Sequence, residues 1–204
     1  MRKKASMGRA AQHTDQDILD AALDLVAEDG VHAATAVAIA KKLGAPSGSV
    51  YYRFPSRDLI LATLWIRTVK GFQIGFLEAL AAEDPEAAAR AAVAHTLTWT
   101  DAHRKEAKLL TLYRREDLIA LWPEELGQDL TTLNDEVKRA VKAFTVAHFG
   151  RVDAETIGRS QFALIDLPYS AARQLLRAER TPPWLFDSVI AASAAVLRVD
   201  RSSS

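Results

Sequence analysis

Apolar residues in this chain recur at helical spacing almost throughout and alternate at strand spacing almost nowhere, which restricts the fold to the all-α class. Glycine and proline then cut the pattern into segments. Thr14 and Asp17 stand close to a capping box, and Ile18, Ala22, Leu25 and Val26 form an apolar stripe that Gly30 can end, so a first helix is expected over about 15–29. Thr35 suits the N-cap of a short second helix through Leu43, with Val37, Ile39, Ala40 and Leu43 available to pack. Gly44-Ala45-Pro46 breaks that helix, and Ser47 to Phe54 makes barely two turns, with Pro46 suited to its first position, before Pro55-Ser56 interrupts again. Two short helices joined by a tight glycine-containing turn form a helix-turn-helix.

Longer segments follow. Ser56 can cap a fourth helix with Asp58 in its first turn, and Leu61, Trp65, Phe72, Phe76 and Leu80 carry its stripe to about Ala82. Gly71 and Gly75 lie inside it and cost about 1 kcal/mol each relative to alanine, which points to close packing or a bend. Asp84-Pro85 opens a fifth helix to about Ala102, and Arg104 to Leu121 makes a sixth. Pro123 opens a seventh, whose seam runs through Leu126, Leu130, Leu133, Val137, Val141 and Phe144 to Gly150. Asp153 can cap an eighth, with Pro168 inside its pattern. Proline has no N–H, so the Leu164 carbonyl loses its helical donor and a kink is expected there. Thr181-Pro182-Pro183 starts the last helix, giving an all-α chain of about nine helices: an N-terminal three-helix helix-turn-helix domain and a larger helical domain.

Charge gives no global argument for a nucleic-acid partner, because 26 Lys and Arg residues balance 26 Asp and Glu. Locally the distribution is uneven. Residues 1–14 carry Arg2, Lys3, Lys4 and Arg9 without an acid, whereas residues 15–29 carry Asp15, Asp17, Asp20, Asp24, Glu28 and Asp29 without a base. Met7 is an alternative start that would leave Arg9 alone in the arm. The acids at 17, 20, 24 and 28 keep the helical period opposite the apolar stripe, so they read as a solvated face and not as a carboxylate pair in a pocket. The absence of cysteine excludes disulfides, thiolate metal sites and cysteine nucleophiles. The histidines lack ligand spacing, and neither a glycine-rich phosphate loop nor a nucleophile elbow occurs, so no enzyme, cofactor or metal site is expected. No stretch reaches the roughly 18 to 20 apolar residues of a membrane span, and Met1-Arg2-Lys3-Lys4 leads into polar sequence, which predicts a cytoplasmic protein.

Within residues 14–60, Ile18-Leu19, Ala21-Ala22, Gly30, Thr35, Ile39-Ala40, Leu43-Gly44 and the run Ser47-Gly48-Ser49-Val50-Tyr51-Tyr52-Arg53-Phe54-Pro55-Ser56-Arg57-Asp58-Leu59 stand in an order that resembles the DNA-binding domain of the TetR family of bacterial one-component regulators. The resemblance implies a basic arm at 1–13, a DNA-binding domain at 14–60 and a ligand-binding and dimerisation domain at 61–204. It further implies a homodimeric repressor that binds a palindromic operator in double-stranded DNA and is released by a small, largely apolar effector. A short helix entering the major groove presents its N-terminal residues to base edges, which here are Pro46, Ser47 and Gly48. By resemblance, Tyr51 and Tyr52 bond phosphates through their hydroxyls, Thr35 contacts one at the second helix's start, and Arg57 takes the family's usual lysine position. Packing is the alternative for the paired tyrosines.

Two departures from the family pattern, Ala36-Val37-Ala38 and Ser47, thin the direct base readout, since serine discriminates bases less well than a bidentate arginine. Arg2, Lys3, Lys4 and Arg9 reaching the minor groove, with Lys41, Lys42 and Arg53 on phosphates, are the expected compensation. Trp65, Phe72, Phe76, Trp99, Tyr113, Trp122, Phe162 and Tyr169 are candidates for an effector pocket, together with Asp166 beside the expected kink. The small apolar run Ser188 to Leu197 suits close packing across a dimer axis, with its own domain's core as the alternative. An activator, a regulator without effector, or an all-helical small-molecule-binding or catalytic protein are the competing readings.

Overall fold

The computed structural model describes residues 13–112 and 126–198, and every regular element among them is helical. The chain divides into two compact units with the boundary between Leu61 and Ala62.

In the first unit, α1 (Asp15–Asp29), a 3₁₀ turn (Val31–Ala33), α2 (Ala36–Leu43) and α3 (Ser47–Arg53) precede the start of α4 (Arg57–Leu80). Thr14 closes a capping box: its Oγ1 accepts the Asp17 N–H at 3.2 Å while its own N–H donates to Asp17 Oδ2 at 2.7 Å. That backbone bond, helped by the Thr14 hydroxyl, holds the Asp17 carboxyl below the usual carboxylate range. Gly30, at φ 87°, ends α1. Ile18, Ala22 and Val26 of α1 pack with Ile39 and Ala40 of α2, Val50 of α3 and Phe54, all buried. Val37, expected in this core, is instead 60% exposed, because the buried face of α2 is set by Ala36, Ile39 and Ala40 at helical spacing and Val37 falls outside it.

The second unit contains the rest of α4, then α5 (Pro85–Ala102), α6 (Arg104–Leu112), α7 (Gly127–Thr132), α8 (Asp135–Phe149), α9 (Ala154–Gln161), a π-turn (Phe162–Asp166), α10 (Leu167–Arg177) and α11 (Leu185–Leu197). With α7–α8 and α9–α10 each counted as one interrupted rod, the described residues make nine helices and no strand. Phe76, Val93, Leu97, Phe144, Leu164, Leu175 and Val189 belong to one buried core. The expected continuation of α6 to Leu121 and the start of the next helix at Pro123 lie outside the described residues. The last helix begins at Leu185 and not at Thr181, the prolines being left in the preceding turn.

Each interruption has a side-chain partner from elsewhere. Between α7 and α8, the buried Gln73 of α4 donates through Nε2 to the Leu133 carbonyl at 3.1 Å and to Asn134 Oδ1 at 3.0 Å. The kink expected at Pro168 takes the form of a π-turn, in which the Leu167 N–H bonds the Phe162 carbonyl five residues back. In that register the next donor would be Pro168 N, which has no hydrogen, so the Ala163 carbonyl is left without a helical donor. Ser193 Oγ, buried on α11, donates to it at 2.9 Å. Gly71 and Gly75 also separate. A Cβ on Gly71 would meet nothing within 4 Å, whereas one on Gly75 would run into the His95 ring.

Candidate nucleic-acid interface

Local chemistry fixes the pair α2 and α3. Thr35 Oγ1 accepts the Ala38 N–H at 3.1 Å and so starts α2. Gly44, left-handed at φ 64°, ends it, and the Ala45 N–H closes the turn on the Ala40 carbonyl at 2.9 Å. Pro46 occupies the N-cap of α3, one residue before the first helical position expected of it, with φ −64°. Ser49 Oγ donates to the Pro46 carbonyl at 2.6 Å.

Val50, 1% exposed, and Phe54 anchor α3 on one side. The rest of α3 carries Ser47 and Gly48 with Tyr51 and Tyr52 one turn further on, all exposed, and of these Gly48 and Tyr52 stand opposite Val50. Tyr52 is 91% and Tyr51 49% exposed, so packing does not account for the tyrosine pair. Beside it Thr35 and Val37 of α2 are exposed as well. The surface therefore offers hydroxyls, a short glycine-bearing helix start and one branched apolar side chain, which suits phosphate bonding and contact with thymine methyl groups.

Three basic residues of this domain have protein partners. Arg53 is ion-paired with Asp15, and Lys42 Nζ lies 3.3 Å from Asp24 and 3.4 Å from Glu28. Arg57 donates to the Val31 carbonyl at 3.1 Å. Three acids of α1 are thus partners of α2 and α3 and not merely a solvated face. The signal is present in the spacing of Asp24 and Glu28, one turn apart as a single lysine requires, but only packing reveals which lysine crosses. Lys41 is exposed. Arg2, Lys3, Lys4 and Arg9 lie outside the described residues.

Among the effector candidates, Trp65 and Phe76 are buried in the second unit. The Phe72 ring centre is 5.9 Å from that of Phe76 and 5.3 Å from those of Trp99 and His95, and Trp99 stacks on His103 at 5.0 Å. Phe162, Asp166 and Tyr169 are exposed, while Tyr113 and Trp122 lie outside the described residues. None of the described candidates lines either of two cavities of the second unit, one of about 240 Å³ between α5, α8 and α11 and an open one of about 560 Å³ between α4 and α7–α8. The run Ser188 to Leu197 splits by face. Val189, Ser193 and Leu197 enter the unit's own core, and Ser188, Ala191, Ala194 and Ala195 are exposed.

Among the described residues no helix is long and apolar enough to cross a membrane, and no group of three or more histidine, cysteine, aspartate and glutamate side chains could hold a metal ion. Residues 18–64 match the family model of the bacterial regulatory proteins, tetR family. Beyond that segment, the fold resembles the TetR family transcriptional regulator PfmR from Thermus thermophilus at 19% identity, over 88% of this chain and 96% of that one, with a TM-score of 0.67. A transcriptional regulator from Rhodococcus sp. Rha1 gives 19% identity over 91% and 96%, with a TM-score of 0.70. The fatty acid degradation regulator FadR from Bacillus halodurans gives 19% over 92% and 100%, with a TM-score of 0.64. No match to a curated protein is found.

Proposed function

The chain carries the DNA-binding domain of the TetR family, and from that premise we propose that it is a homodimeric, cytoplasmic transcriptional repressor that binds a palindromic operator and leaves it when a small effector binds. The observation that carries the operator reading is the exposed face of α3, where Ser47, Gly48, Tyr51 and Tyr52 stand free of the core that Val50 and Phe54 fix. Pro46, Ser47 and Gly48 approach bases, and Thr35, Tyr51, Tyr52 and Lys41 hold phosphates. Lys42, Arg53 and Arg57 act mainly by bracing the domain through the ion pairs and the carbonyl they already engage. The arm with Arg2, Lys3, Lys4 and Arg9 supplies the cationic contacts that this surface lacks.

One helix-turn-helix covers too little DNA for tight binding, so two copies read half-sites about 34 Å apart or at multiples of that turn. Exposed Phe162 and Tyr169, and the small-residue face of Ser188, Ala191 and Ala195 on α11, supply surface for the two-fold contact. Effector binding in the second unit acts through α4, whose residues 57–80 belong to one helix that begins in the first unit. A coupling of about 1–3 kcal/mol gives a five- to 150-fold release.

Selection from a random duplex library at physiological salt, with competitor DNA, tests the reading. A palindrome with half-sites on one face of the duplex is the expected product. Deletion of residues 2–9 should weaken binding to it and flatten its salt dependence. Failure of the folded protein to enrich any sequence, with or without small molecules added, sinks the operator reading.

A further inference from the structure

The cavity between α5, α8 and α11 shares no lining residue with the α3 surface or with the aromatic cluster of Phe72 and Trp99. It encloses about 240 Å³, the room of about eight waters. Its floor is aliphatic, with Ala89, Val93 and Leu197 buried and Ile190 half-buried. The polar groups of that floor are already committed. Ser193 gives its hydroxyl proton to the Ala163 carbonyl. His148 stacks on Phe144 at 5.4 Å and points Nε2 at the Leu197 carbonyl at 3.1 Å; the carbonyl only accepts, so that nitrogen carries a proton.

The rim is charged. Glu86 and Arg90 stand one turn apart on α5, and Arg198 follows the end of α11 with its Nε turned toward the Ala194 carbonyl at 3.5 Å. Among the described residues, neither Arg90 nor Arg198 has a carboxylate within ion-pair distance, although Arg53, Arg104, Arg139, Arg151 and Arg159 each do. Two guanidinium groups and one carboxylate thus border an aliphatic hollow.

We propose that this cavity binds a small amphipathic monocarboxylate. The hollow takes an apolar body of roughly six or seven carbons, and the arginine-bearing rim takes the carboxylate. Guanidinium recognises a carboxylate through paired N–H donors, and the neighbouring aliphatic surface strengthens that bond by displacing water around it. Glu86 on the same rim disfavours a second negative charge on the ligand. The site serves neither the operator contact nor the residues of the aromatic cluster, so it stands or falls independently of the operator reading.

Calorimetric titration of the full chain without DNA tests this, with cyclohexanecarboxylate as the probe and cyclohexanecarboxamide as its neutral isostere. The acid should bind about tenfold more tightly than the amide. Arg90→Gln and Arg198→Gln should each weaken the acid about five- to tenfold and leave the amide unchanged, whereas Ala194→Leu at the exposed mouth should weaken both. Equal affinity for acid and amide would overturn the proposal on the unaltered protein, whatever the variants do. So would undiminished acid binding by Ala194→Leu, or no binding of the acid at millimolar concentration.

Discussion

The first unit caps its helices locally, the second adds caps from far along the chain, and the contrast shows what makes structure legible in a sequence. In the first unit each cap is local. Thr14 serves Asp17, Thr35 serves Ala38, and Gly44 takes the left-handed turn itself, so partner and recipient lie within a few residues. In the second unit Asp84, Asp153 and Gly150 are local caps as well, but others come from far along the chain. Arg104 Nη2 reaches the Leu175 and Ala178 carbonyls at 2.9 and 2.8 Å, Arg159 Nη1 the Val196 carbonyl at 3.1 Å, and His148 the Leu197 carbonyl at 3.1 Å. Gln73 and Ser193 do the same for the two interrupted rods. A local cap specifies where a helix ends. A distant one also specifies which helices are neighbours.

The largest test of that contrast concerns the two glycines of α4. Gly75→Ala should destabilise the protein by about 1–3 kcal/mol, because His95 is held on the Phe72 carbonyl at 3.0 Å and cannot yield to a new methyl without losing that bond. Gly71→Ala should stabilise it by somewhat under about 1 kcal/mol through helix propensity alone. Urea denaturation of both variants checks the pair, and equal effects would show that α4 is not closely packed at Gly75. Next comes Ser193→Ala, which strands a buried Ala163 carbonyl and should cost about 1–3 kcal/mol; a neutral outcome would mean that the π-turn finds another donor. The smallest is Thr35→Ala, a local cap worth about 1 kcal/mol, whose loss should appear as faster amide exchange at the start of α2 before it appears in global stability.

The same contrast separates the features that sequence makes legible from those it does not. The boundaries of α1, α2, α3 and α5, and the burial of Ile39, Val50 and Phe54, are legible because periodicity and caps are encoded within a few residues. So are Gly48 and Tyr52 on the α3 surface, which fall opposite Val50 by helical geometry, whereas Ser47 and Tyr51 lie nearer the buried side in angle and are exposed by the packing. The partners of Lys42, Arg53 and Arg57 are not, because a charged side chain of this length can reach several neighbours and sequence does not say which helix lies within reach. Val37 departs from expectation for a related reason: its apolar character fits either face of α2 until the packing of α1 chooses one.

Sequence by itself determined that the chain is helical, where most helices begin and end, and that a short exposed helix follows a tight turn near the N-terminus, because hydrogen-bonding and steric preferences act within a turn or two. Tertiary structure alone decided which of two glycines in α4 is closely packed, which side chain serves the Ala163 carbonyl at the π-turn, and that Arg90 and Arg198 border a hollow over Val93 and Leu197. These outcomes depend on side chains tens of residues apart meeting at fixed distances, and only the packed core sets those distances.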